Sequence, residues 1–451
     1  MTSTHDVIVI GAGAAGEHCA ARLAAGGLDV AIVERELVAG ECSYYACIPS
    51  KTILRPGEAV DGARATPGAA NAVVGDVDAA SVLAWRDYMV SDYDDAAQAQ
   101  WLADNGIRLI RGEAQIVGAR EVDVDGRRYA ASEIVVATGS EPVMPPIPGL
   151  NELEGVWTNR EATGAREIPK SLVILGGGPV GVELAQAFAS LGARVDLIEG
   201  MDHILPREPR RLGQALADVL AADGLHIHLG QRAVSVRRER GQFVVELPDG
   251  NAVDGQRLLV ATGRRPRTAG LGAESAGAEV GPRGIRVDDR MRAGDGLWAV
   301  GDVTGIWPLT YVGKYHGRIA AANILGDECE ADYTAVPRVV FTHPQAAAVG
   351  AADGPVTSTV SLSVVPKTAT YTRAWDRRPG FLTLISDGET LTGAYGMGPE
   401  AGEWMQQATL AIRAQVPLRV LGDTIQPFPT FSEAFHFALA ELSVPMTTPV
   451  R

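Results

Sequence analysis

The sequence shows no membrane-length apolar run, no surplus of positive charge and only four cysteines in 451 residues, and no export signal is expected of it. It begins Met-Thr-Ser-Thr-His-Asp and passes straight into the short apolar run Val7 to Ile10, with no basic region and no cleavage site. No segment reaches the roughly 18 uninterrupted apolar residues of a spanning helix. A cytoplasmic protein is therefore expected, with no membrane partner. Lys+Arg 40 against Asp+Glu 55 leaves a formal charge of −15, the wrong sign for nucleic acid, whose phosphates need a positive field. The Arg-rich pieces at 235–240 and 264–267 read as solvated faces or nucleotide contacts. Structural disulfides are not expected, because the length suffices for large cores and the cysteines are too few to staple them. A chain of 451 residues exceeds one core, so roughly two to four domains of about 100–200 residues each are expected. With 52 Gly, 46% hydrophobic and 21% charged residues, disordered and fibrous classes are excluded, and so much glycine suits turns that cradle nucleotides.

What the sequence does contain is one construction used twice. Val7-Ile-Val-Ile10 is an apolar run of the buried-strand type, Gly11-Ala-Gly-Ala-Ala-Gly16 follows it directly, and an Ala-rich helical stretch runs on to Gly26-Gly27. In such a turn Gly11 permits the tight bend, Gly13 lets a pyrophosphate approach backbone N–H groups, and Gly16 lets helix and strand pack closely. A second strand, Val30 to Val33, delivers Glu34, whose carboxylate can accept bonds from ribose hydroxyls. The same order recurs as Leu172 to Leu175, Gly176-Gly-Gly-Pro-Val-Gly181, a helix, Val195 to Ile198 and Glu199, with Gly176, Gly178 and Gly181 in the three glycine positions. The acid follows the first glycine at the same interval in both copies, and two dinucleotides are implied. A carboxylate at Glu199 favours a free ribose hydroxyl and repels a phosphate there, hence NADH over NADPH. Each copy closes with a similar strand and turn, Ile134 to Gly139 and Leu258 to Gly263. A third apolar strand, Leu297 to Val300, ends in Gly301-Asp302, where an acid can hold a polyol chain or simply cap a turn.

Between the first copy's Glu34 and the rest of the chain lies Gly40-Glu-Cys-Ser-Tyr-Tyr-Ala-Cys-Ile-Pro-Ser-Lys51, which holds half of the thiols. Two cysteines in that position suit redox chemistry better than zinc, which wants four ligands where the segment offers no His and no second pair. Two small buried side chains are the bland alternative.

On the glycine fingerprints and the C-x-x-x-x-C-I-P-S-K run, the chain resembles the class I pyridine nucleotide-disulfide oxidoreductases: dihydrolipoamide dehydrogenase, glutathione and mycothione reductases, mercuric reductase and their relatives. The likeness runs over nearly the whole length. It implies an α/β fold of two Rossmann-like dinucleotide-binding domains, for FAD and NAD, plus a C-terminal α+β dimerisation domain. The division is 1–150 with 270–334 for FAD, 151–269 for NAD(P), and 335–451 for the interface. The resemblance implies FAD held by Gly11, Gly13, Gly16 and Glu34, with Ala114, Gly139 and Ser140 as later contacts and Asp302 on the ribityl chain. NADH, or NADPH, is assigned to the second unit through Gly176, Gly178, Gly181, Glu199 and Gly263. Hydride passes in this family from nicotinamide to flavin, and electrons then reach a disulfide. By that pattern Cys47 is the sulfur beside the flavin, as a thiolate at the start of a helix opened by Pro49. Cys42 is the interchange sulfur that meets a small-molecule acceptor. Lys51 approaches the flavin and pairs with Glu183; the bland alternative is a solvated salt bridge. Val339 to Pro344, Gly380 to Ile385 and a helical stretch from Glu400 to Gln415 resemble the interface domain of a homodimer.

The pattern breaks near the end. The family normally carries His-Pro-Thr-x-Ser-Glu, in which the His exchanges protons with substrate sulfur and the Glu orients it. Here the segment reads Phe428-Pro-Thr-Phe-Ser-Glu433. Phe428 cannot carry a proton, so interchange with lipoamide or glutathione disulfide is expected to lose the ~10²–10⁴ that a positioned base supplies. A Phe at this position is shared with the ketopropyl-coenzyme M reductase/carboxylases, which cleave a thioether and carboxylate, as is Ala46 before Cys47; those enzymes have His where this chain keeps Glu433. His436, one helical turn further on, reads as an ordinary helix residue. The tail to Arg451 has no cysteine pair of the mercuric or large thioredoxin reductase kind. Tyr44 and Tyr45 either line the substrate side of the cysteine loop or pack beneath it. Cys19 and Cys329 read as structural or exposed thiols, and no metal site is expected.

Overall fold

The computed structural model of the chain describes residues 3–365 and 380–442; residues 366–379 and the tail from 443 lie outside the described residues. The fold divides into two units, Met1–Pro49 with Ala84–Val143 and Gly263–Asp332, and Ser50–Leu83 with Met144–Thr262 and Tyr333–Arg451.

In the first unit β1 (Ser3–Ile10) lies inside a sheet whose order is Arg292–Gly294, Leu297–Ala299, Arg127–Val136, β1, β2 (Val30–Glu34) and Arg108–Arg111. From Leu297–Ala299 onward these neighbours are parallel. Val7, Ile8 and Val9 are fully buried, so the run is continuously apolar because both of its sides are covered. Register pairs Val7 with Val30 on one side and Glu133 on the other. The chain leaves β1 through the glycine turn into α1 (Ala14–Ala25).

The second unit repeats the arrangement with a four-stranded parallel sheet in the order His226–Leu229, Arg194–Glu199, Ser171–Leu175 and Arg257–Val260. Its glycine turn opens the helix Pro179–Ser190, where Pro179 occupies a first-turn position that has no intrahelical partner for an N–H. The C-terminal part of this unit holds a five-stranded antiparallel sheet in the order Arg338–Val340, Gln345–Gly350, Leu391–Gly398, Phe381–Ser386 and Val356–Ser361. Leu382, Leu384, Ala394, Ala408, Phe435 and Leu439 form a core between its strands and the helices Gln406–Arg413 and Glu433–Leu442. The helical stretch read from Glu400 to Gln415 is two helices, Ala401–Trp404 and Gln406–Arg413. Both bounding residues, Glu400 and Gln415, are left-handed at φ +49°. Among the described residues no helix is long and apolar enough to cross a membrane.

Candidate active site

The two glycine turns are built to the same measure. At Gly11 φ is +103°, and an added Cβ would lie 2.4 Å from the Ala137 carbonyl oxygen; at Gly16 it would lie 2.0 Å from the oxygen of Gly11. The corresponding distances are 2.5 Å from Ala261 at Gly176 (φ +107°) and 1.9 Å from Gly176 at Gly181. Gly13 and Gly178, by contrast, would point a Cβ into open space. A pyrophosphate needs that opening in front of a helix N-terminus, so the residues present fit a dinucleotide at both turns. The acids are locked alike. Glu34 accepts from the N–H groups of Ala12 (2.8 Å) and Glu36 (2.7 Å), and Glu199 from those of Gly177 (2.6 Å) and Met201 (2.8 Å). Each carboxylate is thereby fixed in orientation while keeping lone pairs for a ribose.

Around the first turn, Ser140 donates to Asp302 Oδ2 at 2.7 Å. Arg264 donates from Nε to the Ser140 hydroxyl and from Nη2 to its carbonyl, both at 2.8 Å, and its guanidinium also faces Glu41 at 3.3 Å. Gly139 and Gly263 both have positive φ (+73° and +130°), with no atom where a Cβ would go. Ala114 opens the strand Ala114–Gly118, half-buried. Asp302 sits in the short 3₁₀ turn Gly301–Thr304, its carboxylate engaged by a hydroxyl.

Cys42 lies in α2 (Gly40–Tyr44), which the chain enters through Ala39 at φ +83°. Cys47 begins α3 (Cys47–Ala65), two residues earlier than a helix opened by Pro49. The two sulfurs are not joined in a disulfide, and both residues are half-buried. The hydroxyl of Thr310, the first residue of the helix Thr310–Ile324, stands 3.3 Å from Cys42 Sγ and 3.4 Å from Cys47 Sγ. The Cys47 sulfur facing it, and then burial, push the Cys42 thiol well above its ordinary pKa. The other cysteines differ. Burial pushes Cys19 up to about 12, which leaves it inert, and Cys329 lies 3.7 Å from Arg318 Nη1. Among the described residues no group of three or more His, Cys, Asp or Glu could hold a metal ion.

In the second unit Lys51 Nζ meets Glu183 Oε2 at 2.6 Å. The Glu183 side chain is 6% exposed and that of Lys51 35%, so the pair is buried at its acid end and reaches solvent at its amine end. The other Glu183 oxygen accepts from the Phe341 N–H at 2.9 Å, and Lys51 Nζ lies 4.7 Å from the centre of the Phe341 ring. Gln186 braces the same loop by bonding both the N–H and the carbonyl of His343, at 2.7 and 2.8 Å.

Phe428 is 65% exposed. Glu433 opens the last described helix, and its Oε2 is buried with no hydrogen-bond partner among the described residues. A carboxylate whose usual partner is the family's His here has an apolar ring five positions earlier, and its oxygen is left unmatched. His436 is exposed on that helix, beside the Phe437 ring at 5.6 Å.

Sequence reasoning missed Thr310, Arg264 as a link to Ser140 and Glu41, and Gln186. Thr310 and Gln186 lie in helices where a Thr or Gln carries no pattern of its own. Arg264 belongs to the Arg-rich piece 264–267, which reads in the sequence as a solvated face or a nucleotide contact.

Comparison with known proteins agrees with this construction. Residues 5–317 match the model of the family described as pyridine nucleotide-disulphide oxidoreductase, and residues 336–439 match that family's dimerisation domain. A dihydrolipoyl dehydrogenase from Thermus scotoductus is 36% identical over 97% of each chain. A mercuric reductase from Acidithiobacillus ferrooxidans is 34% identical over 97% of this chain and 83% of the relative. Among solved structures, the HOCl-induced flavoprotein disulfide reductase RclA from Escherichia coli aligns with a TM-score of 0.85 at 27% identity, covering 96% of this chain and 99% of that one. These matches make FAD and a pyridine nucleotide the cofactors of the fold. The chain belongs to the class I pyridine nucleotide-disulfide oxidoreductases, as a flavin-dependent enzyme with a C-terminal dimerisation domain.

Proposed function

We propose that the protein is a cytoplasmic homodimer that takes hydride from NADH, or NADPH, and cycles Cys42 and Cys47 between disulfide and dithiol. The electrons go to a sulfur-containing small-molecule acceptor, handled without a His base. Residues 1–150 with 270–334 hold FAD in this reading, 151–269 the nicotinamide, and 335–451 the interface. The observation that carries it is the single Thr310 hydroxyl within 3.4 Å of both sulfurs, which keeps the two thiols at one point.

FAD, when bound, supplies the two-electron chemistry between reduced nicotinamide and the sulfur pair. Gly13 admits the pyrophosphate, Glu34 and Asp302 take ribose and ribityl hydroxyls, and Ser140, itself held by Arg264, fixes Asp302 in orientation. Lys51 brings a positive charge that Glu183 fixes. Glu199 excludes a 2′-phosphate, which favours NADH. In the interchange half-reaction Cys42 attacks one sulfur of a disulfide acceptor and expels the other as a thiol. Cys47 then attacks Cys42, releasing the second thiol and closing the protein disulfide. The two protons of the dithiol leave on the two product thiols. That sequence requires Cys42 to lose its proton, and Phe428 cannot take it. Ordinary lipoamide or glutathione disulfide is therefore a poor substrate.

Phe428, which leaves the sulfur pair without a proton carrier, favours a second reading, in which quinones or other electrophiles are reduced without the disulfide. Cys42→Ser separates the two. In the first, NADH-dependent turnover with the sulfur acceptor falls by at least ~10³; retained turnover would sink it, and retained quinone reduction alone would establish the second. Phe428→His should raise lipoamide or glutathione disulfide reduction by about 10²-fold. No gain would mean that the pocket, not the base, is limiting.

A further inference from the structure

We propose that Tyr93 is a positioning residue for the cysteine loop, and that residues 91–95 brace that loop from outside. The proposal rests on the reading of Cys42 and Cys47 as the redox pair.

Three consecutive residues other than glycine, Ser91, Asp92 and Tyr93, have φ of +52°, +51° and +62°. Left-handed backbone is costly for an L-residue, and a run of three persists only where the surroundings impose it. The run lies between α4 (Ala79–Met89) and α5 (Ala96–Asp104). What it delivers is the Tyr93 ring. That ring stacks on Tyr45, with centroids 5.6 Å apart and planes 30° apart, and lies 6.4 Å from Tyr44. Both partners belong to the stretch between the two cysteines. Tyr44 is buried, 1% exposed, its hydroxyl without a hydrogen-bond partner among the described residues. Tyr45 follows Cys42 by three positions, as the residue that closes the C-terminus of α2.

The brace has a second point of attachment. Asp95 leaves its own helix N-terminus uncapped and instead accepts from the Val38 N–H at 2.6 Å, with Arg111 at 2.7 Å holding the carboxylate. Val38 stands just ahead of the left-handed entry to α2. Segment 91–95 thus grips the loop before its first cysteine and between the two. Aromatic stacking of this kind stabilises beyond the burial of the rings and acts directly on the short helix that carries Cys42.

The test uses the FAD-loaded enzyme and compares Tyr93→Leu, Tyr93→Phe, Tyr45→Leu and the Tyr93→Leu/Tyr45→Leu double variant. Three readouts are taken: FAD content, the long-wavelength thiolate-to-flavin absorption on NADH titration, and the rate of iodoacetamide alkylation of the reduced thiols. With FAD content unchanged, Tyr93→Leu should weaken the band and speed alkylation by about threefold or more. Tyr93→Phe, which keeps the ring, should restore both, and the double variant should add little to either single one. A Tyr93→Leu enzyme with the wild-type band and alkylation rate would overturn the proposal, and so would full additivity. Absence of the band in the wild type would instead overturn the redox reading on which it rests.

Discussion

In the first nucleotide turn a Cβ on Gly11 would lie 2.4 Å from a strand carbonyl and one on Gly16 2.0 Å from the turn itself; in the second the values are 2.5 and 1.9 Å. Glu34 and Glu199 each clamp two backbone N–H groups. After the acids the copies part. Glu34 leads through Val38 and a left-handed Ala39 into the cysteine helix, whereas Glu199 leads to Gly200, which backs onto Arg232, and to Asp202, which grips His203 and Arg210. A further difference lies inside the helices. The residue after the third glycine is fully buried Val182 in the second copy and a half-buried carboxylic acid, Glu17, in the first. What the copies share is what any dinucleotide backbone requires, and what distinguishes them is the chemistry each one serves.

The largest effects are expected at the first glycines. Gly11→Ala and Gly176→Ala impose the same clash on a positive-φ residue, each costing ~4 kcal/mol or more locally. The expected outcomes differ. Gly11→Ala should give protein with little FAD, read from the ratio of flavin to protein absorbance. Gly176→Ala should stay yellow while its KM for NADH rises by about 100-fold. Equal loss of FAD in both would mean that the two turns do not serve separate cofactors.

Glu17 is the next largest lever. Burial raises its pKa to about 7, Lys314 and the Ala39 N–H oppose the rise, and Glu34 adds to it. A carboxyl with a folded-state pKa above its unfolded value contributes stability that is whole below about pH 4.5 and is lost as pH climbs through 7. The full difference amounts to up to ~3 kcal/mol. Glu17→Gln, or Glu17→Val in imitation of Val182, should therefore melt at a higher temperature than wild type at pH 8 and lose that advantage toward pH 5. Parallel pH profiles of Tm would show that Glu17 is hydrated and charged throughout.

Glycine turns, acids and the cysteine pair were legible in the sequence because each is a short local pattern whose backbone demands fix the residue type. Lys51 and Glu183 were legible only through the family pattern, since their 2.6 Å contact joins residues 132 positions apart. Thr310 left no trace, because a hydroxyl at a helix start looks like any cap. Tyr93 was invisible for a related reason: nothing in Ser91-Asp-Tyr93 announces left-handed backbone, and the turn exists only because tertiary packing overrides local preference. The unmatched oxygen of Glu433 could be suspected from Phe428, but its burial could not.

The smallest of the three effects bears on how the second turn chooses its nucleotide. Glu199 is 8% exposed and already holds the Gly177 and Met201 N–H groups, so its carboxylate is fixed before any ribose arrives. Such a group discriminates in two ways, by accepting from a free 2′-hydroxyl and by repelling a 2′-phosphate. Glu199→Ala removes both while leaving the first turn untouched. The ratio of kcat/KM for NADH over NADPH should fall by about tenfold, ~1.4 kcal/mol. Glu34→Ala, the same change in the other copy, should weaken FAD retention and leave that ratio alone. A ratio unchanged by Glu199→Ala would shift the choice of nucleotide to the residues beyond the acid, where Arg232 and Arg210 stand and the two copies differ most.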